Sequence, residues 1–239
     1  MAHLLRLICL VLGVLTAGTT AAAPARNAGA VLVFGGSGQL GSEIVRALLA
    51  AGRDTTVFIR PTSDRTRLDG LNVQFLQGDA RIDADIERAL KSQRFAVVIN
   101  ALGRSESDAS FYEISGRSIA HWAQATGVGR VVLHSSVGVG RSSAAYPGGL
   151  LPQRSKLFDY KEAAETALRT SGVPYTIIRN AVLHDLPAGA TDRARLFADE
   201  RKFGVVSRRG LARLTIECLD KPSCRNRIFH AVDETMPLD

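Results

Sequence analysis

Ala30-Val-Leu-Val-Phe-Gly-Gly-Ser-Gly-Gln-Leu-Gly-Ser-Glu-Ile-Val-Arg-Ala-Leu-Leu-Ala50 is the stretch that decides the fold. Ala30 to Phe34 is an apolar run of the kind that forms a strand buried on both faces. Gly35, Gly36, Ser37, Gly38 and Gly41 come next, and then Leu40, Ile44, Val45, Leu48 and Leu49 recur at helical spacing. Strand, glycine turn and helix are the context that a dinucleotide-binding fingerprint requires. Gly35 allows the tight turn, Gly38 the approach of backbone to a pyrophosphate, and Gly41 the packing of helix on strand. The helix start then offers free N–H groups and the positive end of its dipole.

From this stretch the pattern continues toward the C-terminus. Strands are expected at Thr55 to Ile59, Asn72 to Leu76, Phe95 to Asn100, Arg130 to Ser136, Val173 to Arg179 and Arg227 to Val232. Helices are expected at Ile82 to Leu90, Phe111 to Thr126, Leu157 to Thr170 and Arg209 to Leu219, with Gly127 and Gly129 stopping the second. Such alternation predicts an α/β fold, a Rossmann-type doubly wound parallel sheet with a small C-terminal substrate region. The polar stretch His184 to Arg208 carries no clear period. Residues 26–239 read as a single domain.

Residues 1–25 stand apart. His3 and Arg6 precede the apolar run Leu7 to Leu15, and small residues lead to Ala23-Pro24-Ala25, the pattern of a cleaved signal peptide and an exported protein. An uncleaved membrane anchor is the alternative. Of the three cysteines, Cys9 lies in this leader. Cys218 and Cys224 either close a small disulfide loop or are two separate buried thiols.

The chain is 46% apolar and 22% charged with a net charge of +7 and a pI near 9.8. The cations are interspersed with acids rather than gathered into a tail, which argues against nucleic acid. From Arg130 to Lys161 they are lopsided, with Arg130, Arg141, Arg154, Lys156 and Lys161 against Asp159. That bias fits an anionic small ligand. The histidines and the mature cysteines show no metal-ligand spacing, and no G-x-S-x-G occurs.

In open α/β sheets ligands lie outside the carboxyl ends of the strands. After the second strand, where an NAD reader is an acid, stands Arg60, with Arg65 and Arg67 close by. A guanidinium pairs with a 2′-phosphate, so NADP (NADPH) is expected over NAD. Asp79 and Ala80 come after the third strand; Asp79 is a candidate acceptor for an adenine amino group and Asp83 a helix cap. Ala101, Leu102 and Gly103 come after the fourth strand and let a cofactor lie against backbone. With Gly35, Ser37, Gly38, Gln39, Leu40, Gly41, Arg60 and Ser135 they form the expected cofactor site. Trp122 reads as a core residue. Arg193, Arg195, Phe197 and Phe203 are placed on the substrate side by position alone.

Phe34-Gly-Gly-Ser-Gly-Gln-Leu-Gly41, Gly78-Asp79, His134-Ser-Ser-Val137 and Lys161-Glu-Ala-Ala-Glu165 together resemble an atypical short-chain dehydrogenase/reductase of the NmrA-like, NAD(P)H-binding group. Ser171-Gly-Val-Pro-Tyr-Thr-Ile-Ile-Arg179 and Ser207-Arg-Arg-Gly-Leu-Ala212 extend the likeness over nearly the whole mature chain. The resemblance implies a Rossmann fold, an NAD(P) cofactor, and Lys161 with Ser136 as the catalytic pair. It also exposes a departure. Standard members pair that lysine with a tyrosine four residues earlier, where this chain has Leu157. Tyr160 and Tyr146 are not in register to replace it. Two functions therefore stand: an NADP(H)-dependent oxidoreductase acting on a small acceptor, and a non-catalytic NADP(H)-binding redox sensor or assembly factor.

Overall fold

The computed structural model describes residues 29–103, 108–147, 156–187 and 189–238. The leader, with the signal or anchor expected there, and Arg154 lie outside the described residues.

The glycine-rich stretch folds as β1 (Ala30–Phe34) and α1 (Gln39–Ala50). After it come β2 (Thr55–Ile59), β3 (Gln74–Gln77), α2 (Asp83–Lys91), β4 (Phe95–Asn100), α3 (Phe111–Ala125), β5 (Arg130–Ser136), α4 (Lys156–Thr170) and β6 (Tyr175–Asn180). The chain then makes β7 (Val182–His184), β8 (Arg195–Phe197), β9 (Val205–Ser207), α5 (Arg208–Asp220) and β10 (Arg227–Val232). The main sheet runs β3-β2-β1-β4-β5-β6-β10-β8. Every pairing in it is parallel except β10 with β8. The order reverses between β1 and β4, which is where an open α/β sheet forms its crevice.

The apolar central strands are covered on both sides, as parallel strands must be. Val31, Val33, Val57, Ile99 and Ile178 face α1 and α5, while Leu32, Phe34, Phe58, Val98 and Ile177 face α2, α3 and α4. Alternate residues of one strand thus enter two separate cores.

The structure refines several expectations. The third and sixth strands start two residues later than the apolar runs, and the region without a period holds the short strands β7, β8 and β9. β7 and β9 pair in parallel as a separate two-stranded sheet. Asp83 does not cap its helix: its carboxylate accepts from Ser118 Oγ and, at 3.1 Å, from Trp122 Nε1. Trp122 is accordingly half-buried at the edge of a core rather than inside it.

Cys218 and Cys224 are disulfide-bonded, with Cα atoms 5.4 Å apart. The bridge joins the end of α5 to the approach to β10, and Thr176 Oγ1 donates to the Cys224 carbonyl at 2.8 Å. Arg130, expected beside the ligand, lies at the opposite end of the sheet. Its guanidinium donates to the Cys218 and Leu219 carbonyls, because Arg130 begins β5 instead of ending it.

Both sheet edges are short. β3 has four residues and Arg65 lies over Phe75, 5.0 Å from its centroid; β8 has three, with Arg195 over Phe197 at 5.8 Å.

Candidate active site

A cleft of about 650 Å³ opens over the carboxyl ends of β1, β2, β4, β5 and β6. Gly35, Ser37, Gly38, Gln39, Leu40, Gly41, Arg60, Asp79, Ala80, Ala101, Leu102, Gly103, Ser135, Ser136 and Lys161 all line it. The sheet brings them together because each succeeds or ends a parallel strand, except Lys161, which α4 carries over the end of β5.

The turn between β1 and α1 is tight enough to demand glycine. Gly35 has φ +79°, and a Cβ there would stand 2.7 Å from the Ala101 carbonyl carbon and 2.8 Å from Leu102 N. A Cβ on Gly41 would strike the Gly35 carbonyl and lie 2.7 Å from Gly36 Cα. Gly38 is different, since its Cβ would meet only Gly35 O at 3.3 Å. No side chain caps α1 and no acid stands in its first turn. Its first N–H groups and positive dipole end therefore face the cleft unopposed.

At the β2–β3 side, Arg60 is exposed at the cleft rim, and its N–H donates to Ser63 Oγ at 3.1 Å. Asp79 is already engaged: Arg81 Nε donates to its two carboxylate oxygens at 3.0 and 3.1 Å. Those hydrogen bonds, with smaller charge effects from Arg81 and Arg60, hold the Asp79 carboxyl below its usual pKa.

At the β5 end, Lys161 Nζ donates to Ser136 Oγ at 2.6 Å. The same ammonium lies 4.7 Å from the centroid of the Tyr112 ring, on the neighbouring helix α3. Burial lowers the Lys161 pKa from 10.5 to about 8, partly opposed by the charge of Glu165. Leu157 is half-buried, and among the described residues neither Tyr146 nor Tyr160 lines the cleft. Tyr146 instead packs on Phe203 and Phe158, at 4.8 and 6.1 Å between ring centroids.

His134, one strand position before Ser135, is held as a neutral imidazole. Burial lowers its pKa to about 4. Thr215 Oγ1 donates to the Leu211 carbonyl at 2.7 Å, so His134 Nε2 carries its proton toward that hydroxyl at 3.2 Å. Its Nδ1 and the Ser135 hydroxyl are buried without a hydrogen-bond partner among the described residues.

Beneath the lysine, Arg179 of β6 and Glu165 of α4 form a doubly bonded pair at 3.0 and 2.7 Å, with side chains 5% and 2% exposed. Glu200 adds a third contact to Arg179 at 3.2 Å. This pair ties the helix bearing Lys161 to the strand that ends in Asn180. Removing Glu165 takes both of its bonds from the buried Arg179 guanidinium and leaves only the contact to the part-exposed Glu200, at a cost toward the lower end of the roughly 3–5 kcal/mol of a broken buried pair. Glu165→Ala is therefore expected to lower the urea midpoint strongly, and Glu165→Leu combined with Arg179→Met to recover most of it. A single-variant loss under about 1 kcal/mol in urea unfolding would contradict the pair's role.

Sequence reasoning missed Ser63, Arg81, Phe111, Tyr112, Asn180, Leu183 and Arg208, all of which line the cleft. Conversely, Arg193, Arg195, Phe197 and Phe203 are not among its lining residues. Arg195 and Phe197 belong to the edge strand β8, and Phe203 packs on Tyr146.

A family model described as NAD(P)H-binding matches residues 35–222. Sterol demethylase protein B of Methylococcus capsulatus is 37% identical over 112 residues, 45% of this chain and 34% of that protein. Pinoresinol reductase 2 of Arabidopsis thaliana is 26% identical over 220 residues, 84% of this chain and 67% of that one. The chain thus spans about a third of the first relative's length and two thirds of the second's. Among solved structures, ChuY, an anaerobillin reductase from Escherichia coli O157:H7, superposes with a TM-score of 0.73 at 24% identity, covering 87% of this chain and 99% of that one. A wide-type short-chain dehydrogenase/reductase from Veillonella parvula, solved with NADP, gives 0.69 at 20% identity over 87% and 95%. Both likenesses are of fold.

Proposed function

The chain belongs to the NAD(P)H-binding family, and from that premise we propose that it is an NADPH-dependent oxidoreductase reducing a small planar or carbonyl-bearing acceptor. The observation that carries the proposal is the 2.6 Å bond from Lys161 Nζ to Ser136 Oγ, inside the cleft that begins at the glycine turn. A sequence relative whose name denotes a reductase supports it.

The residues present fit a dinucleotide. Gly38 leaves room for phosphate against the uncapped start of α1, and Ala101, Leu102 and Gly103 offer backbone beside it. When bound, the reduced nicotinamide supplies a hydride. Ser136 and Lys161 supply the proton. Because the ammonium donates to Ser136 Oγ, the Ser136 O–H is free to donate to a carbonyl oxygen of the acceptor. As negative charge grows on that oxygen, the hydroxyl proton passes to it and a lysine proton replaces the one lost. Lys161 ends neutral and is reprotonated from solvent. A donor with a pKa near 8 suits this task near neutral pH. In this scheme Lys161 takes the part of the tyrosine whose place Leu157 occupies.

Acceptor-dependent NADPH oxidation by the purified protein tests the reading. Tight NADPH binding with no turnover across flavins, quinones and carbonyl acceptors would instead support a cofactor sensor, the reading that Leu157 favours. An exported location, with the cofactor carried out already bound, accords with the Cys218–Cys224 bond.

For cofactor choice, Arg60 and the neighbouring Ser63 are assigned to the 2′-phosphate. Arg60→Ala is expected to weaken NADPH about tenfold to a hundredfold, the worth of a charge-assisted bond, with little change for NADH. Nicotinamide fluorescence titration reads both. Equal weakening of the two cofactors would refute the assignment.

A further inference from the structure

The cleft is markedly cationic. Arg60, Arg81, Lys161 and Arg208 line it, and Asp79 is the one acid among the described lining residues. Asp79 is bound by Arg81 at the β3 side. At the other end, past β6, the wall is made by Asn180, Leu183 and Arg208.

Arg208 opens α5, its side chain only 17% exposed. Nη1 donates to Asp185 Oδ1 at 2.9 Å, but that carboxylate is 73% exposed, so water competes for it and the contact uses one arm of the fork. Arg208 and Arg209 also occupy the first turn of a helix, where the dipole disfavours cations, and no acid stands there to offset them. Arg209 is satisfied by the Ala190 carbonyl, away from the cleft lining. Among the described residues Arg208 has no such backbone partner. Its guanidinium is thus held in a cleft wall at a position the helix itself opposes, a local conflict of the kind that marks a functional site. An anionic oxygen group would neutralise both the guanidinium and the helix start.

We propose that Arg208 pairs with a carboxylate or phosphate on the acceptor, so that the substrates are planar or carbonyl-bearing acceptors with an acidic substituent. The proposal rests on the reductase reading above. The same chemistry could come from the cofactor's phosphates, and the test separates the two sources.

Flavin mononucleotide and riboflavin share one planar ring system and differ in a terminal phosphate. Each is titrated into the full chain saturated with NADP+, with flavin fluorescence as the readout. The mononucleotide is expected to bind at least tenfold more tightly, Arg208→Gln to bring the ratio within about twofold, and Arg208→Lys to keep part of it. Melting curves confirm that both variants are folded. A wild-type protein that does not distinguish the two flavins overturns the proposal. So does a ratio that survives Arg208→Gln, or a parallel loss of NADP+ affinity, which would assign Arg208 to the cofactor. NADPH oxidation is followed separately. A ratio that behaves as expected without turnover would count against the reductase reading and leave the Arg208 pairing standing.

Discussion

Gly41→Ala is expected to abolish NADPH binding and to leave little folded protein. The added methyl would strike the Gly35 carbonyl and stand 2.7 Å from the Gly35 carbonyl carbon and Gly36 Cα, all of them backbone atoms in the turn that α1 packs against. No side chain can rotate away to make room, so the cost exceeds the usual overpacking penalty, at more than about 3 kcal/mol. Gly38→Ala is the informative companion. Its methyl meets only Gly35 O at 3.3 Å, so the fold should survive with a nearly unchanged melting temperature. It would nonetheless stand where the dinucleotide proposal puts the pyrophosphate, and NADPH affinity is expected to fall at least tenfold. A well-folded Gly41→Ala protein would contradict the packing argument. A Gly38→Ala protein that binds NADPH as the wild type does would move the phosphate site elsewhere.

Lys161→Met should lower acceptor-dependent NADPH oxidation by about a hundredfold to a thousandfold, the usual worth of a positioned proton donor. The same change should stabilise the fold at pH 7. The folded-state pKa lies near 8 against an ordinary 10.5, so burial disfavours the charged form. That penalty is fully present below about pH 8 and is relieved as pH rises from there to about 10.5. A half-buried lysine keeps some hydration, so the gain from methionine is put at about 1 kcal/mol, roughly 2–4 °C in melting temperature. Wild-type activity should decline as pH rises through about 8, because the donor is then deprotonated. Loss of activity together with a lower melting temperature would point to a merely structural lysine. Activity that stays flat between pH 7 and 9.5 would remove Lys161 from the proton path.

The fold was legible because parallel strands buried on both faces read as short apolar runs, and Ala30–Phe34, Phe95–Asn100 and Arg130–Ser136 do so plainly. The candidate site was legible for a related reason. In a parallel sheet the carboxyl ends share one side, so Gly35, Arg60, Asp79, Ala101 and Ser136 could be gathered from the residues at the exit of each strand. The readings that failed depended on direction or on elements without a period. Arg130 is only six positions from Ser136 in the same strand, yet it starts that strand and so lies at the far end of the sheet. Tyr112 and Arg208 begin helices that reach the cleft from flanking loops, and nothing in the spacing around them marks which way they turn. Asp83 carries the sequence signature of a cap but is drawn to Ser118 and Trp122 on a neighbouring helix, a tertiary preference over a local one.

The two ends of the main sheet have a bearing on how the molecule behaves at high concentration. A row of unpaired backbone donors and acceptors is a template on which a second chain can extend the ladder. Here β3 and β8 are four and three residues long, and each sets an arginine over its own phenylalanine. An incoming strand would find little backbone to pair with, and a positive charge to displace before reaching the aromatic ring. Short edge strands and edge charges are devices by which sheet proteins blunt the growth of a ladder from one copy to the next.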